Sequence, residues 1–197
     1  MKQLSLAAAL ALTTGAAFAQ QDTMTLGMVL EPPNLDPTGG AAAAIDEVVY
    51  ANVFEGLTRF GPDGAVLPAL ATGWEVSEDG TVYTFSLAQG VTFHDGTTFD
   101  ADDVVFSLDR ARAEDSTNAQ KALFSGIASV EAVDPATVMV TLTEPNGNFP
   151  FNMAWGDAVM VAPESVETAA TAPVGTGPCA FAEWVQGDHV TLTRNDA

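Results

Sequence analysis

The sequence predicts a fold of mixed short strands and helices, and three stretches carry that expectation. Tyr83, Phe85 and Leu87 alternate with Val82, Thr84 and Ser86, the two-residue period of a strand with one bulky face and one smaller, more polar face. Residues 130–133 and 137–142 flank Asp134-Pro135-Ala136 as the arms of a hairpin, with Val138, Val140 and Leu142 on one side. Asp100 stands at the N-cap of a helix that opens at Ala101, with Asp103 three residues on, before Val104-Val105-Phe106. A carboxylate there accepts from free first-turn amides and opposes the helix dipole. The helix is expected to run through Arg112.

In chain order, Thr23-Met24-Thr25-Leu26-Gly27-Met28-Val29-Leu30 reads as a first strand. It breaks at Glu31-Pro32-Pro33-Asn34-Leu35-Asp36-Pro37, where prolines fix φ and remove donors. Residues 39–44 are small, a place where backbone can approach a neighbour closely. Ile45, Val48, Val49, Asn52 and Val53 recur at helical spacing and predict a helix over residues 44–54. Residues 57–60 form a short strand ending in the turn Gly61-Pro62-Asp63-Gly64, and Glu78-Asp79-Gly80 makes another. Beyond Arg112, residues 119–124 predict a further short helix. Residues 149–155 are aromatic and expected to be buried or cleft-facing. Residues 159–162 are strand-like, Pro163-Glu164-Ser165-Val166-Glu167 looks like a helix start, and Gly175-Thr176-Gly177-Pro178 is a rigid turn. Val190-Thr191-Leu192-Thr193 is a last strand.

The chain has 197 residues, 47% of them apolar, enough for a sizeable core. Six basic against 26 acidic residues give a formal charge of −20. Nucleic acid and anionic membrane surfaces demand basic patches, so no nucleic-acid partner is expected. At the N-terminus a lysine, the apolar run from Leu4 to Leu12 and Ala17-Phe18-Ala19 before Gln20 predict a cleavable signal peptide over residues 1–19. No cysteine follows the apolar run, so no lipid anchor is expected. The sole cysteine, Cys179, cannot make an intrachain disulfide. The expected location is the periplasm.

Catalytic motifs are thin. No G-x-S-x-G is present, and the two histidines, His94 and His189, each stand beside an aspartate in or near a turn. No H-E-x-x-H or cysteine cluster points to zinc, and Asp100, Asp102 and Asp103 lack the glycine and distal glutamate of a calcium loop. No metal, cofactor or catalytic residue is expected. Gly175-Thr176-Gly177-Pro178-Cys179-Ala180 formally fits the G-x-G-x-x-A fingerprint. That fingerprint must open a helix whose amides cradle phosphate, whereas Pro178 lacks an amide and residues 181–185 look extended.

Several ordered motifs together resemble the periplasmic solute-binding proteins of ABC importers, in the dipeptide/oligopeptide-binding class (bacterial extracellular solute-binding family 5). They are Glu31-Pro32-Pro33-Asn34-Leu35-Asp36-Pro37, Phe54-Glu55-Gly56-Leu57, and Pro68-Ala69-Leu70-Ala71 with Trp74. The signature block is matched by Tyr83-Thr84-Phe85-Ser86-Leu87, Gly90-Val91, Phe93-His94-Asp95-Gly96 and Ala101-Asp102-Asp103-Val104. Gly175-Thr176-Gly177-Pro178, Trp184 and Arg194-Asn195 resemble its later turn and strand. The chain departs from the usual pattern at Ala88, Thr98 and Cys179.

The resemblance implies a two-lobed α/β binding protein with an extra subdomain. Residues 20–54 and 158–197 would begin the first lobe and residues 55–157 would form the subdomain. Family members are far longer, so this chain is expected to be an N-terminal fragment without the second lobe. It implies a monomeric, non-enzymatic partner of membrane permease subunits, whose lobes close about a hinge on a peptide or similar small solute. Nickel complexes, glutathione and oligosaccharides stay open as ligands. Gly40, Ala41, Ala42, Ala43, Ala44 and Trp155 are the expected cleft-facing residues. The rival of a different class is a secreted acid hydrolase using paired carboxylates such as Asp102/Asp103 or Glu164/Glu167. Adjacent positions on a helix point different ways, which disfavours the first pair.

Overall fold

A computed structural model describes residues 23–196; the expected signal peptide lies outside them. At its centre is a four-stranded antiparallel sheet built from β3 (Ala71–Val76), β4 (Val82–Leu87), β6 (Thr137–Leu142) and β5 (Ile127–Asp134), in that spatial order. The alternation seen in the sequence sets its faces. Tyr83, Phe85 and Leu87 are buried, and the register places Phe85 opposite Val138 and Tyr83 opposite Val140. Helix α2 (Ala101–Arg112) covers this face with Ala101, Val104, Leu108 and Ala111, a spacing of three and four residues that puts them on one stripe. Asp100 caps it as expected, its Oδ1 accepting from the Asp102 amide at 2.9 Å while Asp103 Oδ2 accepts from the Asp100 amide at 2.9 Å.

A second apolar cluster lies beyond α2. It gathers Leu35, the buried side of α1 (Ala43–Val49), Val53, Phe54, Val159, Val161 and Ala169. The hairpin of β7 (Cys179–Val185) and β8 (His189–Arg194) packs against it through Phe181, Trp184, Val190 and Leu192. Helix α2 serves both clusters: Phe106 faces the second, and the Ser107 hydroxyl accepts from the Val161 amide at 2.9 Å. A ribbon of β1 (Thr58–Phe60) and β2 (Val66–Pro68) turns at Gly64, whose φ of 78° suits glycine.

Five expectations are corrected. Residues 23–30 form no strand; Met24, Leu26, Val29 and Leu30 are exposed, and no strand among the described residues pairs with them. The helix expected over residues 44–54 stops at Val49, with Ala51 in the left-handed region at φ 57°. The Ala51 amide leaves the helical ladder for the Phe54 carbonyl at 2.9 Å, and the segment beyond is held from elsewhere in the chain. The Asn52 and Val53 carbonyls accept from the Cys179 and Gly177 amides at 2.8 and 2.9 Å, and the Tyr50 hydroxyl is held by the Ala154 carbonyl at 2.5 Å. Residues 159–162 are buried but ladder-free apart from a single bridge between Gly56 and Val159, because the Val161 amide goes to α2 instead. The two later helical expectations shrink to 3₁₀ turns, Lys121–Phe124 and Val166–Thr168.

Candidate functional site

The segment before α1 is shaped by side-chain hydrogen bonds to its own backbone. Asn34 Oδ1 accepts from the Asp36 amide at 2.9 Å, and Asp36 Oδ1 accepts from the Thr38 amide and hydroxyl at 2.8 and 2.6 Å. These are the local turns that asparagine and aspartate offer between prolines. The chain then emerges at Gly40, where a Cβ would stand 2.7 Å from Ile45 Cδ1, so only glycine fits without a shift. Gly40 and Ala42 are half-buried and Ala41 and Ala43 exposed, whereas Ala44 is buried on the core side of α1. A cleft of about 290 Å³ opens here, lined by Ala42, Ala43, Ala44 and Glu47 on one side and Val29, Leu30 and Glu31 on the other.

The structure brings Trp155 to the other end of the same helix. Tyr50, just past α1, holds the Ala154 carbonyl, and Asp46 lies flat on Gly156, its carboxyl atoms 2.8 Å from where a Cβ would stand. Trp155 is 41% exposed and forms an edge-to-face cluster with Phe60 and Phe151, each with ring centroid 6.3 Å from it. Two carboxyls, Asp46 and Asp157, sit at the junction of α1 with Gly156. Burial, and secondarily the charge of Asp157, pushes Asp46 up to about 6; burial likewise raises Asp157, opposed by its own backbone amide. Sequence reasoning missed Asp46 and Tyr50, although their i, i+4 spacing on one helix face was a usable signal. Nothing local announced Asp157.

His94 sits in its expected turn, with Gly96 at φ 89°. Its ring spans the Gly175–Gly177 backbone: Nδ1 accepts from the Gly175 amide at 3.3 Å and Nε2 donates to the Gly177 carbonyl at 2.9 Å. The Asp95 carboxylate accepts from Thr97 instead, so the two do not form an acid–base pair. Gly175 and Gly177 press on the protein itself, where a Cβ would meet the Val53 and Asn52 carbonyl oxygens at 1.9 and 2.4 Å, and β7 follows them rather than a helix. That arrangement has no cradle for a dinucleotide phosphate.

Of the carboxylates in the hydrolase reading, Asp103 is committed to the cap of α2. Asp103 is buried in its capping box, its carboxyl pushed up to about 6 chiefly by burial and held back by the Asp100 amide. Asp102, Glu164 and Glu167 are exposed. Among the described residues no group of three or more histidine, cysteine or acidic side chains could hold a metal ion, and no helix is long and apolar enough to cross a membrane.

The family model for bacterial extracellular solute-binding proteins, family 5, matches residues 65–197. The chain belongs to this family. A glutathione-binding protein, GsiB of Pectobacterium atrosepticum, is 37% identical over 165 residues, covering 82% of this chain and 32% of that protein. Among solved structures, NikZ of Campylobacter jejuni in complex with Ni(L-His) is similar with TM-score 0.75 and 31% identity, over 85% of this chain and 34% of that one. DppA of Helicobacter pylori, a periplasmic binding protein in complex with the peptide STSA, is similar with TM-score 0.73 and 28% identity, over 83% of this chain and 37% of that one. The chain spans about a third of the length of these proteins.

Proposed function

We propose that this chain contributes one wall of the ligand cleft in an extracytoplasmic solute-binding component of an ABC importer, which captures di- or oligopeptides and hands them to a membrane permease. The family match over residues 65–197 carries this reading. The small segment at residues 40–43 with its exposed Ala41 and Ala43, the cleft beside it and the exposed Trp155 supply the local surface. Small residues let an extended peptide bring its backbone close, and an aromatic face accepts varied side chains. In this reading residues 1–19 export the protein to the periplasm, where it works as a monomer. The cluster around the four-stranded sheet corresponds to a subdomain over residues 55–157, and residues 20–54 with 158–197 to the start of the first lobe, the second lobe being supplied by further chain. No step of this role needs catalysis.

Glutathione, itself a tripeptide, is the second reading, favoured by GsiB at 37% identity. Calorimetric titration of the full-length protein with glutathione and with defined di- to tetrapeptide pools tests both, followed by mass spectrometry of the recovered ligand. Saturable binding with intact ligand is expected. Turnover of the ligand, or no heat with any of these probes, would overturn the proposal.

A further inference from the structure

Helix α2 reaches beyond the sheet it covers. Arg110, in its last turn, donates through Nη2 to Asp36 Oδ2 at 3.0 Å and through Nη1 to the Thr38 hydroxyl. The contact joins residues 74 positions apart, and the Asp36 side chain is only 9% exposed. The other arginine and lysine ion pairs among the described residues stay local, although Arg112 also donates to the Ile127 and Ala128 carbonyls of β5. Arg112 pairs with Asp109, Arg194 with Asp196, and Lys121 donates to the Glu114 carbonyl. Arg110 thus makes the one arginine or lysine ion pair among the described residues that links distant parts of the chain.

What it grips matters. Asp36 is the hub of the turn that leads into residues 40–43: its Oδ1 already holds Thr38 by amide and hydroxyl, and its Oδ2 lies 2.8 Å from where a Cβ on Gly39 would stand. Two N–H groups of one planar guanidinium, landing on Asp36 and Thr38 together, fix the turn's orientation as well as its position. Asn34 and the Leu35 amide, which donates to the Ala170 carbonyl at 2.9 Å, tether the turn's upstream side. Downstream, residues 39–43 have only glycine and alanine and no side-chain hydrogen bond of their own.

We propose that Arg110 is a positioning residue for the solute: through Asp36 and Thr38 it sets the direction in which residues 40–43 are presented at the cleft, without touching the ligand. This rests on the reading that those residues face the solute. It gives the family's signature helix a task at the binding wall, in addition to covering its own sheet.

The test uses the full-length protein and the variants Arg110→Met, Arg110→Lys and Ala41→Trp. Hydrogen exchange of the unliganded protein is read over residues 34–44 and over the sheet, and affinity is read by calorimetry with glutathione and the peptide pools. For Arg110→Met, faster exchange confined to residues 34–44 and about tenfold weaker binding are expected, with partial rescue by Arg110→Lys. Unchanged exchange in that segment, or equal loss across the sheet, would overturn the positioning role whatever the ligand does. Ala41→Trp interrogates the underlying reading on its own, since it only fills the cleft mouth. If it binds the probes as the parent does, or if the parent binds none, that reading fails while the exchange data still decide the brace.

Discussion

Replacing Asp46 by asparagine should stabilise this protein, and only above mildly acidic pH. The side chain is half-buried between α1 and Gly156, with Asp157 beside it, and its carboxyl is raised from 3.8 to about 6 by burial first and the Asp157 charge second. A carboxyl raised on folding holds its proton more tightly in the folded state, so stability falls as pH climbs from 3.8 to about 6 and levels off above. A displacement of that size corresponds to about 3 kcal/mol. The side chain is only partly buried, and solvent screening leaves about 1 kcal/mol. Asparagine keeps the shape and cannot ionise. Urea unfolding across this pH range should therefore show Asp46→Asn about 1 kcal/mol more stable at neutral pH, a few degrees in Tm. The advantage should shrink through pH 6 and vanish near 3.8. Asp157→Asn should lessen it by removing the second cause. An Asp46→Asn protein no more stable than the parent at neutral pH, or equally favoured at both ends, would refute the reasoning.

Other outcomes follow from the same geometry. Gly175→Ala would drive a Cβ to 1.9 Å from the Val53 carbonyl oxygen and should cost at least about 2 kcal/mol in denaturant melts, whereas Gly73→Ala, with open space around it, should cost under about 0.5 kcal/mol. Asp100→Ala removes the acceptor for the Asp102 amide and should cost about 1 kcal/mol by the same assay. Nitrogen NMR of the His94 ring at neutral pH should show the Nε2–H tautomer that its contacts with Gly175 and Gly177 require; the Nδ1–H form would contradict the placement.

Patterns that close within a few residues were legible before any coordinates. The alternating faces of β4 and β6 and the Asp100–Asp103 cap depend on neighbours in the sequence, and they stand where the period and spacing put them. Residues 23–30 have the composition of a strand, but a strand exists only with a partner, and none is present among the described residues. The end of α1 was hidden for a related reason: the Ala51 amide leaves the ladder for the Phe54 carbonyl, in a segment whose Asn52 and Val53 carbonyls are bound by the distant amides of Cys179 and Gly177. At the candidate site, the smallness of residues 40–44 was visible, but not that Ala44 turns into the core while Ala41 and Ala43 stay exposed. The pairing of α1 with Gly156, the Asp46–Asp157 couple and the Arg110–Asp36 link were not visible, because each joins residues whose separation leaves no periodic trace.

A crystal structure of the full-length protein with its bound solute tests the central claim most directly. The proposed function predicts an intact peptide or glutathione, with atoms in van der Waals contact with the backbone of residues 40–43 and with the Trp155 ring. A solute seated away from both, or a cleaved product in their place, would contradict it.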